Sequence, residues 1–271
     1  MLHLIALAAA ASVAAPPLVS TEWLQQHLND PQVRVICVGA GGDGYTRGHI
    51  PGARWLELAQ TTMRGAGGGL APVDVLVRTF TAAGVADGAH VVLYGDTPMI
   101  TGWAYMALAS IGHGDDVSWL DGNISLWQME KRPVSTSAPK PGTGPLTPRQ
   151  SPDAIVDGAW VRSRLESAAT KILDVRSDRE WRDGHLPNAT LILWPELYQD
   201  LETQKFKSPD EIRALLARAG VQSNQEVVTY CAVGMRASLM YWAARSVGVP
   251  ARVYLGSWRD WSSNPANPVV K

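Results

Sequence analysis

The chain has 271 residues, and 24 Lys and Arg stand against 25 Asp and Glu, which gives a formal net charge of -1. This balance gives no reason to expect a nucleic-acid partner, and no basic run predicts an anionic membrane surface. The length predicts one large or two ordinary domains, each able to bury a core. Two cysteines are too few for a disulfide scaffold or a four-ligand zinc site, so cysteine chemistry here would be nucleophilic or redox.

The chain begins with an apolar stretch from Leu4 to Ala15, followed by a Pro-Pro pair. This pattern is typical of a secretory signal peptide over residues 1–15 with cleavage after Ala15, although His3 and the amino terminus are its only basic groups. No other segment reaches the ~18–20 apolar residues that span a bilayer. We therefore expect an exported protein, periplasmic or otherwise extracytoplasmic, without stable membrane insertion after processing. The alternative is a cytoplasmic protein with an apolar N-terminus.

The sequence repeats itself. Residues 33–58 resemble residues 170–194, because in each a buried strand leads to an aromatic residue and then to Gly-His-apolar-Pro. The aromatic residues, Tyr45 and Trp181, are 136 positions apart. The same shift continues along the chain and aligns two further pairs, Tyr94 with Tyr230 and Gly95 with Cys231. A shared shift over much of the chain predicts two tandem copies of one fold.

We predict an α/β protein with two tandem domains, residues 16–130 and 153–271, each a mostly parallel sheet flanked by helices. Short apolar runs alternate with helical stretches in each half, and this alternation favours a parallel sheet covered by helices. Residues 131–152 are rich in Pro, Gly, Ser and Thr. They predict a linker that wraps from one domain to the next.

Cys231 lies where an apolar strand turns into a helix. The loop that follows reads CAVGMR, ends at Arg236 and contains Gly234, which is free to adopt angles that other residues avoid. The first amides of a helix have no internal partner, and with the helix dipole they form a seat for an anion. They favour the thiolate, and Arg236 adds a cation, so the loop predicts a nucleophilic cysteine that carries a group. The alternative is a buried, inert thiol.

The motif YCAVGMR before a helix, the upstream segment DVRSDREWRDGHLPNA and the tandem arrangement together resemble the rhodanese family of sulfurtransferases. The resemblance spans roughly residues 18–265. It implies two rhodanese-like domains, of which the second is catalytic. The first has Gly95 in place of the cysteine and no arginine that matches Arg236, so it is expected to be silent. Cys37, in a strand of the silent copy, is predicted to be a core residue rather than a partner of Cys231.

The resemblance implies a two-step sulfur transfer that needs no metal or organic cofactor. Cys231 would take a sulfur from thiosulfate or a related small-molecule donor, carry it as a persulfide and pass it to a thiol or cyanide acceptor. Main-chain amides of the loop would stabilise the persulfide. These amides belong to Ala232, Val233, Gly234, Met235 and Arg236. The oligomeric state stays open.

Charged residues after the strand of the second copy are further candidates. The resemblance places Arg176 and Arg182 near the loop, where arginines bind an anionic donor. Arg176 could instead pair with Asp174. Asp174 and, from the first domain, Glu57 are candidate supporting groups behind the cysteine. The Gly-His motifs recur in both copies, the silent one included, and predict turn-stabilising hydrogen bonds for His49 and His185.

Three other functions stay open. A 3-mercaptopyruvate sulfurtransferase would use a different donor; we favour thiosulfate because Arg236 keeps one cation in the loop. A cysteine phosphatase or arsenate reductase shares the strand–loop–helix design, but its loop is one residue longer, to enclose a tetrahedral oxyanion. A non-catalytic rhodanese binding module is disfavoured because Cys231, Gly234 and Arg236 are all present.

Overall fold

The computed structural model of the chain describes these residues: 15–63, 69–137, 139, 144–149 and 154–271. The predicted signal peptide therefore lies outside the described residues, apart from Ala15. Among the helices of the described ranges, none combines the length and the apolar character that crossing a bilayer requires.

The first domain contains, in its described part, a sheet of five parallel strands in the order β1-β5-β4-β2-β3. The strands are β1 (Leu18–Val19), β2 (Val33–Gly39), β3 (Arg54–Glu57), β4 (His90–Gly95) and β5 (Val117–Leu120). The flanking helices are α1 (Thr21–His27), α2 (Asp43–Arg47), α3 (Val73–Ala82), α4 (Pro98–Ser110) and α5 (Asn123–Met129). Every residue of β4 is buried, which explains why its sequence after His90 is almost entirely apolar.

The second domain repeats this architecture, with β6-β12-β11-β7-β8 as the strand order of its described sheet. The strands are β6 (Ile155–Val156), β7 (Thr170–Asp174), β8 (Ala189–Leu191), β11 (Glu226–Tyr230) and β12 (Ala251–Tyr254). The strands β9 (Tyr198–Asp200) and β10 (Lys205–Phe206) form a separate two-stranded antiparallel hairpin in this domain. The helices are α6 (Gly158–Arg164), α7 (Asp178–Asp183), α8 (Pro209–Arg218), α9 (Met235–Ser246) and α10 (Ser257–Ser263). The predicted fold, two tandem α/β domains, is confirmed.

Described parts of the segment predicted as a linker pack against the first domain. Leu146 is buried in the main hydrophobic core. Next to it, the hydroxyl and the amide of Thr147 donate to the carboxylate of Asp87 at 2.7 and 3.0 Å. Ser135 exchanges main-chain hydrogen bonds with His49. These contacts hold the segment along the domain surface because its main-chain and hydroxyl groups find fixed partners there.

The two domains meet through α4 and α9, which are buried along most of their length. Gly102 permits this approach, since a Cβ there would lie 2.9 Å from the main-chain nitrogen of Leu239. The rings of Tyr105 and Tyr241 lie 6.1 Å apart across the contact. The helix that begins at the cysteine loop is therefore fixed between its own sheet and the first domain.

Candidate active site

The loop after β11 turns a main-chain amide toward the sulfur of Cys231. The amide of Gly234 donates to Cys231 Sγ at 3.1 Å. Gly234 has a φ of 93°, and a Cβ at this position would lie 2.9 Å from the carbonyl oxygen of Leu255. Only glycine adopts this conformation without strain. The residue both aims its own amide at the sulfur and begins helix α9 at Met235.

A second turn, between β12 and α10, holds the backbone of the cysteine. The hydroxyl of Ser257 accepts from the amide of Cys231 at 3.1 Å and donates to the carbonyl of Tyr254 at 2.8 Å. The amide of Trp258 donates to the carbonyl of Cys231 at 2.9 Å. Ser257 is buried and has a φ of 55°, a left-handed conformation that is uncommon for residues other than glycine. Such strain persists where the surroundings fix it, often at functional sites.

The sequence predictions did not include this turn, although the repeat contained a signal for it. In the first domain, Asn123 follows Gly122 and has a φ of 54°. Its side chain accepts from the amide of Gly95 at 3.3 Å and donates to the carbonyl of Gly95 at 2.7 Å. The pair Gly122-Asn123 aligns with Gly256-Ser257 when the repeat shift slips by two. In both copies a residue with left-handed backbone angles therefore hydrogen-bonds to the main chain at the same loop position, Gly95 in the first domain and Cys231 in the second.

Cys231 lies at the bottom of its loop, with 1% of its surface exposed. The loop residues above it are half-buried: Ala232, Val233, Met235 and Arg236. Cys231 also belongs to the main hydrophobic core cluster, so the amide directed at its sulfur favours the nucleophilic interpretation over an inert core thiol, and the role of Cys231 stays a prediction.

Arg236 forms a bidentate ion pair with Glu180 of α7. Its Nη1 and Nη2 donate to the two carboxylate oxygens at 2.8 and 2.6 Å. The hydrogen bond from Arg236 lowers the pKa of Glu180 to about 2, and the same bond raises the pKa of Arg236. Glu180 also accepts from Ser177 at the start of α7. The pair is neutral overall. Interaction with Cys231 also contributes to the raised pKa of Arg236, so the predicted cation lies near the sulfur but is paired with Glu180.

Arg176 is not placed to bind a donor, and this prediction is corrected. Its side chain is 1% exposed and pairs with the fully buried Asp174, with Nη2 to Oδ2 at 2.6 Å. Its Nη2 also donates to the carbonyl of Gly184 at 2.7 Å. The guanidinium lies 4.6 Å from the ring centroid of Trp258 and 5.5 Å from that of Tyr230. Burial opposes the charge of Arg176, but the hydrogen bonds and charge of Asp174 outweigh burial and raise its pKa.

Asp174 supports the site through the sheet. The hydroxyl of Tyr230, the residue before the cysteine, donates to Asp174 Oδ2 at 2.5 Å. Glu57, the other candidate supporting group, accepts from the amide of Gly41 at 3.3 Å in the first domain. No hydrogen bond recorded among the described residues joins Glu57 to Cys231.

Arg182 lies exposed in the last turn of α7, and its role in binding a donor stays a prediction. The histidines of the two Gly-His motifs have the turn-stabilising role that the repeat predicts. His49 Nδ1 lies 2.9 Å from the carbonyl oxygen of Tyr45, and His185 Nδ1 lies 3.2 Å from that of Trp181. Each imidazole also stacks on the aromatic ring of the same partner.

Cys37 is a buried residue of β2, as predicted, and it forms no disulfide. Burial raises the pKa of its thiol to about 12. At neutral pH this thiol is therefore protonated and a poor nucleophile.

Curated proteins are similar to this chain over nearly its whole length. The chain is 29% identical over 277 residues to the sulfur carrier protein TtuD of Thermus thermophilus, covering 94% of this chain and 96% of that protein. It is 28% identical over 267 residues to the thiosulfate sulfurtransferase of Azotobacter vinelandii, covering 94% and 97%.

Solved structures share the fold. The crystal structure of YnjE superposes with a TM-score of 0.84 at 23% identity, covering 94% of this chain and 68% of that one. The 3-mercaptopyruvate sulfurtransferase SseA of Escherichia coli superposes with a TM-score of 0.77 at 23% identity, covering 90% and 99%. The sequence profile of the Rhodanese-like domain matches residues 20–130 and again residues 157–264. With the profile matched in each of its two domains, the chain belongs to the rhodanese-like domain family.

Proposed function

We propose that this chain is a sulfurtransferase that moves a sulfane sulfur from thiosulfate to a thiophilic acceptor through a persulfide on Cys231. The observation that carries the proposal is the amide of Gly234, directed at Cys231 Sγ from 3.1 Å. The curated relative from Azotobacter vinelandii, similar over nearly its whole length, is named a thiosulfate sulfurtransferase. The relative from Thermus thermophilus is named a sulfur carrier protein.

In the first step, the thiolate of Cys231 attacks the outer sulfur of thiosulfate. A bond forms between Cys231 Sγ and that sulfur, the S–S bond of the donor breaks, and sulfite leaves with the electron pair of that bond. The product is a persulfide anion on the cysteine. The amide of Gly234 and the positive end of α9 face this negative charge, and donors fixed before the reaction need no reorganisation to stabilise it.

In the second step, the acceptor attacks the outer sulfur of the persulfide. Cyanide would leave as thiocyanate, and a thiolate would leave as a persulfide of the acceptor. The S–S bond on the enzyme breaks, and its electron pair returns to Cys231 as thiolate. The cycle is balanced without a redox partner, because the sulfur moves as a neutral atom between two nucleophiles.

The size of the loop supports sulfur transfer over oxyanion chemistry. Only two residues, Ala232 and Val233, separate Cys231 from the glycine whose amide already contacts the sulfur. A loop this tight surrounds one added atom more readily than a tetrahedral oxyanion. A phosphatase or arsenate reductase activity is therefore the competing outcome of the assays below.

The donor is decided by chemistry at the rim. Thiosulfate carries two negative charges, but Glu180 neutralises Arg236, so main-chain amides and the helix start supply the remaining attraction. Exposed Arg182, in the last turn of α7 and two residues after Glu180, is the proposed additional cation. Comparing kcat/KM for thiosulfate and 3-mercaptopyruvate tests this choice. A higher value for 3-mercaptopyruvate would replace thiosulfate as the donor and leave the persulfide mechanism intact.

Intact-mass spectrometry after exposure to thiosulfate gives the direct test. We expect one added sulfur on the wild type and on Cys37→Ser, and none on Cys231→Ser. Sulfur transfer to cyanide should follow the same order. Hydrolysis of nitrophenyl phosphate without sulfur transfer would identify the phosphatase alternative. If Cys231→Ser kept the full biological activity, the chain would act as a non-catalytic binding module.

We further propose that the protein is exported and processed after Ala15, on the pattern of residues 1–15 alone. Expression with its own N-terminus should give an extracytoplasmic protein that begins at Pro16. A protein retained in the cytoplasm with its apolar N-terminus intact would contradict this proposal.

A further inference from the structure

The first domain contains a cavity of about 290 Å³ at the carboxyl edge of its sheet. Strand pairing shows which site of the second domain it matches. Cys37 of β2 lies opposite Tyr94 of β4, and Asp174 of β7 lies opposite Tyr230 of β11. Two residues after Cys37 the first domain has Gly39, and two residues after Asp174 the second domain has Arg176. The cavity therefore belongs to the region where the second domain buries an arginine.

Each group that holds Arg176 has a counterpart in the wall of this cavity. In the second domain these groups are the carboxylate of Asp174, the carbonyl of Gly184 and the rings of Tyr230 and Trp258. Their counterparts in the first domain all line the cavity: Cys37, Gly48, Tyr94 and Ile124. Gly39 stands in the place of the arginine. Gly48 and Tyr94 keep the residue types of the second domain, while Cys37 replaces the carboxylate and Ile124 replaces the tryptophan ring.

The carboxylate of Asp96 lies where the side chain of an arginine at position 39 would start. A Cβ on Gly39 would be only 2.1 Å from Oδ2 of Asp96, so the carboxylate occupies that space. Asp96 also lines the cavity, and its Oδ2 accepts from the amide of Ala40 at 3.1 Å. Cys37, in the place of Asp174, adds no charge because its buried thiol stays protonated. The anionic group in the cavity lining is thus Asp96, an exposed residue just after the end of β4.

The side-chain amide oxygen of Gln204 is a hydrogen-bond acceptor in the cavity lining that receives no donor from the described residues. This residue comes from the β9–β10 hairpin of the second domain, reaches the cavity wall and has a φ of 56°. Its Oε1 is buried, and no hydrogen-bond partner for it exists among the described residues. A buried acceptor in this state calls for a partner that the protein itself does not provide.

The rim carries the opposite charge. Arg47, exposed at the end of α2, also lines the cavity. The volume exceeds what a bare guanidinium fills and approaches the lower end of the range for small-molecule sites, about 300 Å³. We propose that the first domain binds a small guanidinium compound with a carboxylate, its planar cation between Asp96 and Gln204 and its carboxylate at Arg47.

Titration calorimetry on the full chain with 4-guanidinobutanoate tests this proposal. We expect saturable binding, and no binding of butanoate, which lacks the guanidinium. Asp96→Asn should weaken binding at least about tenfold, because a charge-assisted hydrogen bond is lost. Glu166→Gln removes an exposed carboxylate from the second domain and should leave affinity unchanged.

Butylguanidine, which keeps the guanidinium and has a neutral methyl group in place of the carboxylate, separates the two ends of the ligand. Arg47→Ala should weaken 4-guanidinobutanoate several-fold and leave butylguanidine unaffected. Sulfur transfer by Asp96→Asn should match the wild type, which shows that the variant is folded. Absence of saturable binding, or equal affinity of Asp96→Asn and wild type, would overturn the proposal. An equal effect of Arg47→Ala on both ligands would overturn the assigned orientation.

Discussion

The ion pair of Glu180 and Arg236 should make the stability of the second domain depend on acid pH. Glu180→Gln keeps the shape of the side chain and removes its charge. In the wild type, the hydrogen bond from Arg236 lowers the pKa of Glu180 from 4.5 to about 2. The carboxylate form is therefore bound more tightly in the folded protein than in the unfolded chain, and the variant loses this stabilisation.

The shift sets an upper limit on the effect. About 2.5 units at about 1.36 kcal/mol per unit give about 3.4 kcal/mol. The Glu180 side chain is 33% exposed, so solvent screens part of the interaction. We expect Glu180→Gln to lower the free energy of unfolding by about 1–2 kcal/mol at pH 7.

The pH dependence gives the sharper test. Because the folded pKa lies below the unfolded one, the stabilisation is complete above about pH 4.5 and disappears as pH falls toward 2. Urea unfolding of wild type and variant at pH 7 and pH 3 should show a difference that falls by more than half. Glu166→Gln, which changes an exposed carboxylate, should alter stability by less than about 0.5 kcal/mol at both pH values. An equal difference at both pH values, or none at pH 7, would refute the reasoning.

Substitutions at three further positions probe the site. Arg176→Met leaves the buried carboxylate of Asp174 with the Tyr230 hydroxyl but without a cation, so the free energy of unfolding, measured in urea, should fall by about 3–5 kcal/mol. A change confined to KM would instead restore a substrate role. Gly234→Ala forces a Cβ against the carbonyl of Leu255, and mass spectrometry should show persulfide forming more slowly, at a stability loss of at least about 1 kcal/mol. Ser257→Ala removes the hydroxyl that accepts from the amide of Cys231. We expect kcat to fall and the free energy of unfolding to drop by about 1–3 kcal/mol, and Ser257→Asn should restore both. Unchanged kcat in Ser257→Ala would show that the turn does not position the cysteine.

The sequence by itself determined the two-domain α/β fold and the place of the cysteine. Strand runs, the shared shift and the motif around Cys231 are local signals, and local signals report local backbone preferences. The conformation of Gly234 was readable for the same reason, because glycine before a helix predicts the angles that only glycine adopts easily. The recurrence of His49 and His185 in both copies likewise identified a structural role.

Only the tertiary structure decided the charges around the cysteine. The sequence offered Arg176 several carboxylates, and the choice of Asp174 depends on burial, which makes an unpaired charge costly. The pairing of Arg236 with Glu180 joins residues 56 positions apart, a distance no local pattern reports. The same holds for the cavity of the first domain, since the correspondence of Gly39 with Arg176 follows from the strand pairing within the two sheets. Contacts between distant segments are fixed by packing, and packing is a property of the whole fold.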